Sequence, residues 1–436
     1  MRPWDQNCQK GPENKQTPQK FWLSMKGCSI RWDWHPFLFY FFYWYHSVNM
    51  TLSRKTWLQI SSTTAIRTVT NTGFRMVFPF QPILMEGLGI SLVAITRMYA
   101  GQSLVGIISP FLASLADTRG RRTGMLSGLI LFCLGTLLIS LFPTSLGFLS
   151  FLILSMLGKA IFDPSMQAYF GDTIPFKRRG FVLGITETSW SLSFFLGMPL
   201  VGFLLERVGL LSPFIFLTIL SVLSFAVVLV LIPPDTETSN RTGSISGNFS
   251  LVFGSSTALA GLGVMLLICT ANQLVNVVFG VWLNQSFGLQ IAALGGASAL
   301  IGIAELLGEG GVSALADRIG TRKAVAYGLI ASVLSSLLLP VVGGTTAGSY
   351  LGLFLFYLTF EFTIVSLIPL MTGVLPEARG TVMALSIASA NLGRGLGSWI
   401  AAPIFLSGFW LNALAAAVVN LLAIFVLSYV VVKEDH

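Results

Sequence analysis

The chain has 436 residues, of which 54% are hydrophobic and only 10% charged, with a mean hydropathy of +0.77 and a formal charge of +8. Soluble domains carry about 25% charged residues, so the solvent for most of this chain is lipid, and the composition is that of a polytopic membrane protein. Cys8, Cys28, Cys133 and Cys269 have neither metal-ligand spacing nor the pattern of a disulfide framework, so no metal site is expected.

Residues 1–55 read as a cytoplasmic tail unlike the rest. Residues 1–49 hold five of the ten Trp, two of the three His and two of the four Cys. The aromatic run Phe37–Tyr45 is nine residues long, too short to span a bilayer, and no small-residue cleavage site follows it. Three readings stay open: a tail with an aromatic patch at the membrane surface, an extension upstream of a true start at Met50, or a functional domain.

Apolar stretches of about 20 residues are read as spans. Twelve follow, at 57–80, 91–114, 124–143, 146–170, 181–205, 210–232, 257–282, 291–313, 324–342, 348–374, 381–405 and 408–432. On one side the loops and chain ends carry Arg54, Lys55, Arg119, Arg121, Arg122, Lys177, Arg178, Arg179, Arg241, Arg318, Arg322, Lys323, Arg379 and Lys433. The other side carries only Arg207. Positive loops stay in the cytoplasm, so both termini are placed there. The net charge thus reports topology, and no nucleic-acid partner is needed.

An internal repeat explains a charged octapeptide that is written twice. LADTRGRR (115–122) recurs 200 residues later as LADRIGTR (315–322), Arg179-Gly180 recurs as Arg379-Gly380, and Pro175 falls near Pro376. Two parallel six-helix halves, 56–232 and 256–432, would then be joined by a Pro/Ser/Gly/Thr-rich linker at 233–255, with 433–436 as a cytoplasmic end. Parallel repeats with a site between them are one architecture of secondary transporters.

The octapeptides resemble the signature of the major facilitator superfamily, a Gly-x-Leu-Ala-Asp-Arg-x-Gly-Arg-Arg pattern after the second helix. The first copy carries Ala113, Leu115, Asp117, Gly120, Arg121 and Arg122, with Ala113 and Thr118 departing from it. The second carries Asp317, Arg318, Gly320 and Arg322, departing at Ser313 and Thr321. The resemblance covers about 56–432. It implies an all-α membrane fold of twelve transmembrane helices in two bundles. It also implies that Asp117 latches onto the start of span 11 at Arg379-Gly380, and Asp317 onto span 5 at Arg179-Gly180. The alternative is that these loops only fix topology and packing.

Charges inside the spans are Arg67, Arg75, Arg97, Lys159 and Arg394 against Asp163, Glu187, Glu305, Glu309 and Glu361. They fall in spans 1, 2, 4, 5, 8, 10 and 11, which the resemblance makes cavity-lining helices, whereas spans 3, 6, 9 and 12 carry none. Helical spacing aligns Arg67, Asn71, Arg75 and Phe78 on span 1, Ser298, Gly302, Glu305 and Glu309 on span 8, and Asn272 with Asn276 on span 7. Lys159 and Asp163, at i and i+4, can form an ion pair. Arg75 and Arg97 are placed near the external mouth, and Glu309 near a gate. Glu187, Glu305, Glu361 and Asp163 are candidate proton carriers. Arg67, Asn71, Arg75, Arg97, Lys159, Trp190, Asn272, Gln273, Asn276, Asn391 and Arg394 are candidate cavity residues.

The Gly197–Gly202 stretch GMPLVG resembles part of the antiporter motif of drug–proton exchangers, with Met198 intervening and a single closing Gly. The expected function is therefore secondary transport by alternating access, with proton-coupled export of a small organic molecule. A proton-coupled sugar or nutrient importer, an uncoupled organic-anion carrier on Arg67, Arg75 and Lys159, and a transport-dead sensor of the same fold are the alternatives. With no intramembrane His and no phosphate-cradling loop, neither an enzyme nor an ATP-driven pump is expected. No cofactor beyond the proton gradient is needed, and one chain in the bilayer suffices.

Overall fold

The computed structural model describes residues 52–109, 111, 120–234 and 245–430, and within them it is helical with no strand. The N-terminal tail, the first octapeptide through residue 119 and the end of the chain lie outside the described residues. Span 1 runs as Arg54–Arg75 and, after a turn containing Pro79, resumes as Gln81–Leu88. Span 2 is Leu92–Gly106, span 3 Arg121–Leu141 and span 4 Ser145–Thr173. Span 5 is interrupted, as Phe176–Glu187, Ser189–Leu192, a π turn at Ser193–Gly197 and Met198–Arg207; span 6 is Ser212–Leu231. Span 7 repeats the break of span 1, as Ser256–Asn276 and Phe279–Phe287. Spans 8 to 12 are Ile291–Ile319, Thr321–Val342, Thr346–Val374, Arg379–Phe405 and Phe409–Leu427.

The repeat is visible in the backbone. Six glycines with left-handed φ form three pairs, each 199 or 200 residues apart: Gly89 with Gly288, Gly120 with Gly320, and Gly209 with Gly408. Side chains other than Gly are strained there, so each half needs glycine at the same three turns. Gly120 and Gly320 are the octapeptide glycines, and each immediately precedes a helix.

Two expectations need correction, and the hydropathy of the helices bears on a third. The first and seventh spans run longer than 57–80 and 257–282, because each continues past a break into a short helix ending at a left-handed glycine. The stretch 233–255 is not wholly irregular, since Ile245–Gly254 is a helix packed against the starts of spans 7 and 11. Its Gly, Ser and Asn residues conceal an apolar face carrying buried Val252. Finally, among the described residues nine helices are long and apolar enough to cross a bilayer, with Gln81–Leu88 and Leu92–Gly106 passing as a pair bent by 110°. That pair is the resumed end of span 1 together with span 2, and the bend is the turn that joins them. Spans 1 and 11 do not pass by hydropathy because they are rich in polar residues; span 1 alone buries Gln59, Arg67, Asn71 and Arg75.

Packing separates inner from outer spans. The halves meet where span 2 lies on span 11, span 5 on span 8, and the far ends of spans 1 and 7 on each other. Spans 3, 6, 9 and 12 pack within their own halves and expose Leu134, Val230, Leu334 and Phe425, among others. Apolar side chains at such density on an outer surface suit lipid. Opposite the basic loops, one core crosses both halves: Phe78, Phe80, Phe194 and Met198 pack with Phe279, Leu294, Ile301 and Tyr357. This far end is sealed.

Candidate functional site

The Arg67–Asn71–Arg75 stripe of span 1 organises the interior, as helical spacing predicts. Arg67 is held by two acids of its own half, Nε to Asp163 Oδ1 at 3.3 Å and Nη1 to Glu187 Oε1 at 2.8 Å. Nη1 also donates to the Thr186 carbonyl at 3.0 Å. Lys159 Nζ bonds Asp163 Oδ2 at 2.7 Å, donates to Asn71 Oδ1, and lies 4.2 Å from the Trp190 ring centre. Asn71 Nδ2 in turn donates to Ser189 Oγ at 3.1 Å. The predicted Lys159–Asp163 pair is therefore one edge of a network spanning spans 1, 4 and 5. Glu187 is not among the deepest acids: its side chain is 42% exposed and accepts from Gln167.

One turn along, Arg75 leaves its own half. Both its terminal nitrogens grip Glu305 of span 8, with Nη1 to Oε2 at 2.8 Å, and Nη1 donates to the Trp190 carbonyl at 3.1 Å. Its guanidinium lies 3.6 Å from the Phe194 ring centre. Arg75 is thus buried rather than at the mouth, because Glu305 and two rings replace its water. Arg97 does remain exposed, 5.2 Å from the ring centre of Trp399.

The breaks in span 5 supply those acceptors. The Trp190 carbonyl stands just before the π turn Ser193–Gly197 and also accepts from Ser193 Oγ at 2.5 Å, while Pro199, which lacks an N–H, comes two residues after that turn. Close approach of span 8 completes the crossing. A Cβ on Gly302 would stand 2.7 Å from the Ser191 carbonyl and the Phe195 nitrogen. The π turn Ser193–Gly197 therefore ends on the first residue of GMPLVG, and the remainder of that stretch is α-helical.

The second half is arranged differently. Glu309 accepts from Ser191 Oγ at 3.0 Å, bonding across the halves rather than at the basic end. Glu361 on span 10 lies within electrostatic reach of Glu305, Glu309, Glu187 and Arg75. Among the described residues it has no hydrogen bond or ion pair. Gly308 makes room for it, since a Cβ there would come within 2.9 Å of Glu361 Cβ. Tyr357 donates to Asn276 Oδ1 at 2.6 Å, Asn276 to Gln273 at 3.1 Å, and Gln273 to Ser398 at 3.0 Å, while Asn272 Nδ2 is buried without a partner. Arg394 donates to Asn391 at 3.4 Å, and Asn391 crosses to the Gly106 carbonyl at 2.9 Å.

At the basic end, Ala113, Leu115 and Asp117 lie outside the described residues, as does the Asp317 side chain. The neighbouring arginines have partners within their own halves. Arg121 pairs with Asp172 at 3.1 Å; Arg122 donates to the Leu229 carbonyl at 2.5 Å and Arg322 to that of Ser428 at 3.2 Å. Those carbonyls close spans 6 and 12, where a cation also favours the helix dipole. Arg318, Arg379, Gly180 and Gly380 are exposed, and Arg179 is half-buried.

Sequence reasoning missed several partners: Tyr357, Phe194, Ser189, Ser191, and the glutamines Gln81 and Gln102, each of which buries side-chain atoms without partners. The one available signal was the hydroxyl-rich TETSWSLS (186–193) inside an apolar span.

Residues 64–398 match the family model described as Major Facilitator Superfamily. The chain belongs to the major facilitator superfamily. It is a multi-pass membrane transporter by family and not an enzyme. The MFS-type transporter YceJ of Bacillus subtilis is 26% identical over 350 residues, which are 78% of this chain and 87% of that protein. Multidrug resistance protein MdtG of Citrobacter koseri is 30% identical over 291 residues, 63% of this chain and 69% of MdtG. Among solved structures, the human organic anion transporter MFSD10 (TETRAN) superposes with a TM-score of 0.67 at 19% identity, over 86% of this chain and all of that one. The D-xylose–proton symporter gives 0.69 at 16%, covering 87% of this chain and 99% of that one. Both show the superfamily fold, which members with different cargo share.

Proposed function

We propose that the chain is a proton-coupled exporter of a small organic molecule, with its basic loops in the cytoplasm. One observation carries this reading. In the connected interior, Asp163, Glu187, Glu305, Glu309 and Glu361 meet Arg67, Lys159 and Arg75, and among the described residues the ion pairs leave Glu309 and Glu361 without a paired cation. An unpaired charge at membrane depth costs about 3 kcal/mol or more, and a proton or a cationic cargo removes that cost. A carrier that alternates the two at one carboxylate is an antiporter. Its sealed far end would then be the external side, and opening it requires the Arg75–Glu305 tie to break. The multidrug resistance name of the MdtG relatives supports export.

An uncoupled anion carrier built on Arg67, Arg75 and Lys159 would need those three cations free, yet each is held by a carboxylate. The test is proton flux in proteoliposomes containing a pH-sensitive dye, with sugars, amphipathic cations and organic anions added in turn. Proton movement should follow one class, and Glu361→Gln should abolish it. Tracer flux without proton movement, or full coupling in Glu361→Gln, overturns the reading.

A further inference from the structure

Arg97 takes no part in the interior network. On span 2 it shares a stripe with Gly101 and Leu104, and both Arg97 and Leu104 are exposed. Ile95, Thr96 and Tyr99, on the inner face of the same helix, are buried. Across the seam between the halves, span 11 exposes Leu396, Trp399 and Ile400. The two stripes meet there, since a Cβ on Gly395 would stand 3.6 Å from the Ala100 carbonyl and 3.7 Å from Leu104 Cδ2. Arg97 therefore sits on an apolar surface of the kind that faces lipid. Its guanidinium lies 5.2 Å from the ring centre of Trp399. Among the described residues it has neither an ion pair nor a hydrogen bond. Measured along their helices, Arg97 and Trp399 are each about 9 Å from the sealed far end, so they stand at matching depth.

We propose that Arg97 and Trp399 form a site for one anionic phospholipid of the leaflet opposite the basic loops, its phosphate on the guanidinium and an acyl chain along Gly101. A charge on a lipid-facing surface is costly without a counter-ion, and a long arginine side chain reaches towards the interface for one. The guanidinium fork binds phosphate oxygens in pairs, and contact with the Trp399 ring leaves its N–H donors unused. Indole rings settle at the level of the headgroups, with their N–H towards polar atoms. Gly101 leaves a notch below, because a Cβ there would meet nothing within 4 Å. No acid touches Arg97 among the described residues, so a headgroup ammonium would find no partner beside it. That favours a net anion over a zwitterion. The other seam, between spans 5 and 8, has Gly296–Ala297 and Pro199–Leu200 at the counterpart positions, with neither a cation nor an indole. The two walls of the site come from different halves, so it is whole only while spans 2 and 11 are together at the far end.

The experiment is photo-crosslinking of the full-length protein in nanodiscs of equal phosphatidylglycerol and phosphatidylcholine. The probe is Ile400→p-benzoylphenylalanine, beside Trp399, and the lipid adducts are identified by mass spectrometry. The same probe at Leu134, exposed on span 3, samples the bulk bilayer. At position 400 phosphatidylglycerol should exceed phosphatidylcholine by about fivefold, the attraction of one arginine near a membrane surface, and at position 134 by less than twofold. Arg97→Gln should bring the ratio at 400 down to that at 134, and Arg97→Lys should restore part of it. Trp399→Leu should lower the ratio at least twofold. Gly101→Leu fills the notch without touching the charge and should also lower it at least twofold, which keeps the site testable should Arg97→Gln not elute as a single species. Arg207→Gln, which alters an exposed arginine at the same end, should change nothing. Equal ratios at both positions in the unsubstituted background, or enrichment that survives Arg97→Gln, overturns the site and leaves Arg97 merely reaching into the headgroup layer. Enrichment abolished by added inorganic phosphate also overturns it, since a free anion would then be the ligand.

Discussion

The two halves share their turns but not their electrostatics. In the first half both interior acids are in contact with a cation: Asp163 touches Arg67 and Lys159, and Glu187 touches Arg67. In the second half Glu305 borrows its cation from the first half, while Glu309 has a hydroxyl and Glu361 has neither. A duplicated scaffold has thus diverged into a half that is electrostatically closed and a half that needs something added. The teaching is that the repeat supplies geometry, while the imbalance between its copies supplies a place for cargo and proton.

The largest effect should come from the residue that joins the halves. Arg75→Met would leave Glu305, 2% exposed, buried without its partner. Breaking such a pair from one side costs about 3–5 kcal/mol. The thermal midpoint in detergent should fall steeply, and the double variant Arg75→Met/Glu305→Leu should recover most of it. A single variant as stable as wild type would show that the halves are not tied there.

Next come two carboxylates that the comparison sets against each other. Asp163→Asn removes the anion shared by Arg67 and Lys159, and charge-assisted hydrogen bonds of this kind contribute about 1.5–3 kcal/mol each. Glu361→Gln removes a charge that no ion pair or hydrogen bond holds among the described residues, so stability should stay within about 1 kcal/mol of wild type or rise. Thermal unfolding of the two variants side by side checks this. Equal losses would mean that the second half is as fully compensated as the first.

Much of this was legible in the sequence, and the boundary has a physical cause. Lipid demands long apolar helices, so the spans stood out. Charges are rare in such runs, so Arg67, Arg75, Asp163, Glu305 and Glu361 stood out too. The i, i+4 pair Lys159–Asp163 was readable because helical geometry fixes it. Arg75–Glu305 was not, because 230 residues separate the partners and only packing decides which acid an arginine meets. Tyr357 and Phe194 look like ordinary apolar residues until a neighbour is known. The π turn left only Pro199 as its trace, and the helix Ile245–Gly254 was hidden by glycine and serine that more often mark a loop.

The smallest effect tests whether the halves differ only in charge. Thr144 and Thr345 occupy equivalent places before spans 4 and 10, and each hydroxyl accepts a backbone N–H at 3.1 Å, from Gly147 and Gly348 respectively. The crowding beyond them also matches: a Cβ on Gly147 would lie 2.0 Å from the Phe142 carbonyl, and one on Gly348 1.8 Å from that of Val342. Loss of a threonine cap costs about 1 kcal/mol, and neither site carries a charge that could bias the result. Thr144→Ala and Thr345→Ala should therefore lower the unfolding midpoint by the same small amount. Were one to cost several times the other, the divergence between the copies would extend into the turns, and the imbalance at Glu361 could no longer be read as the difference that matters.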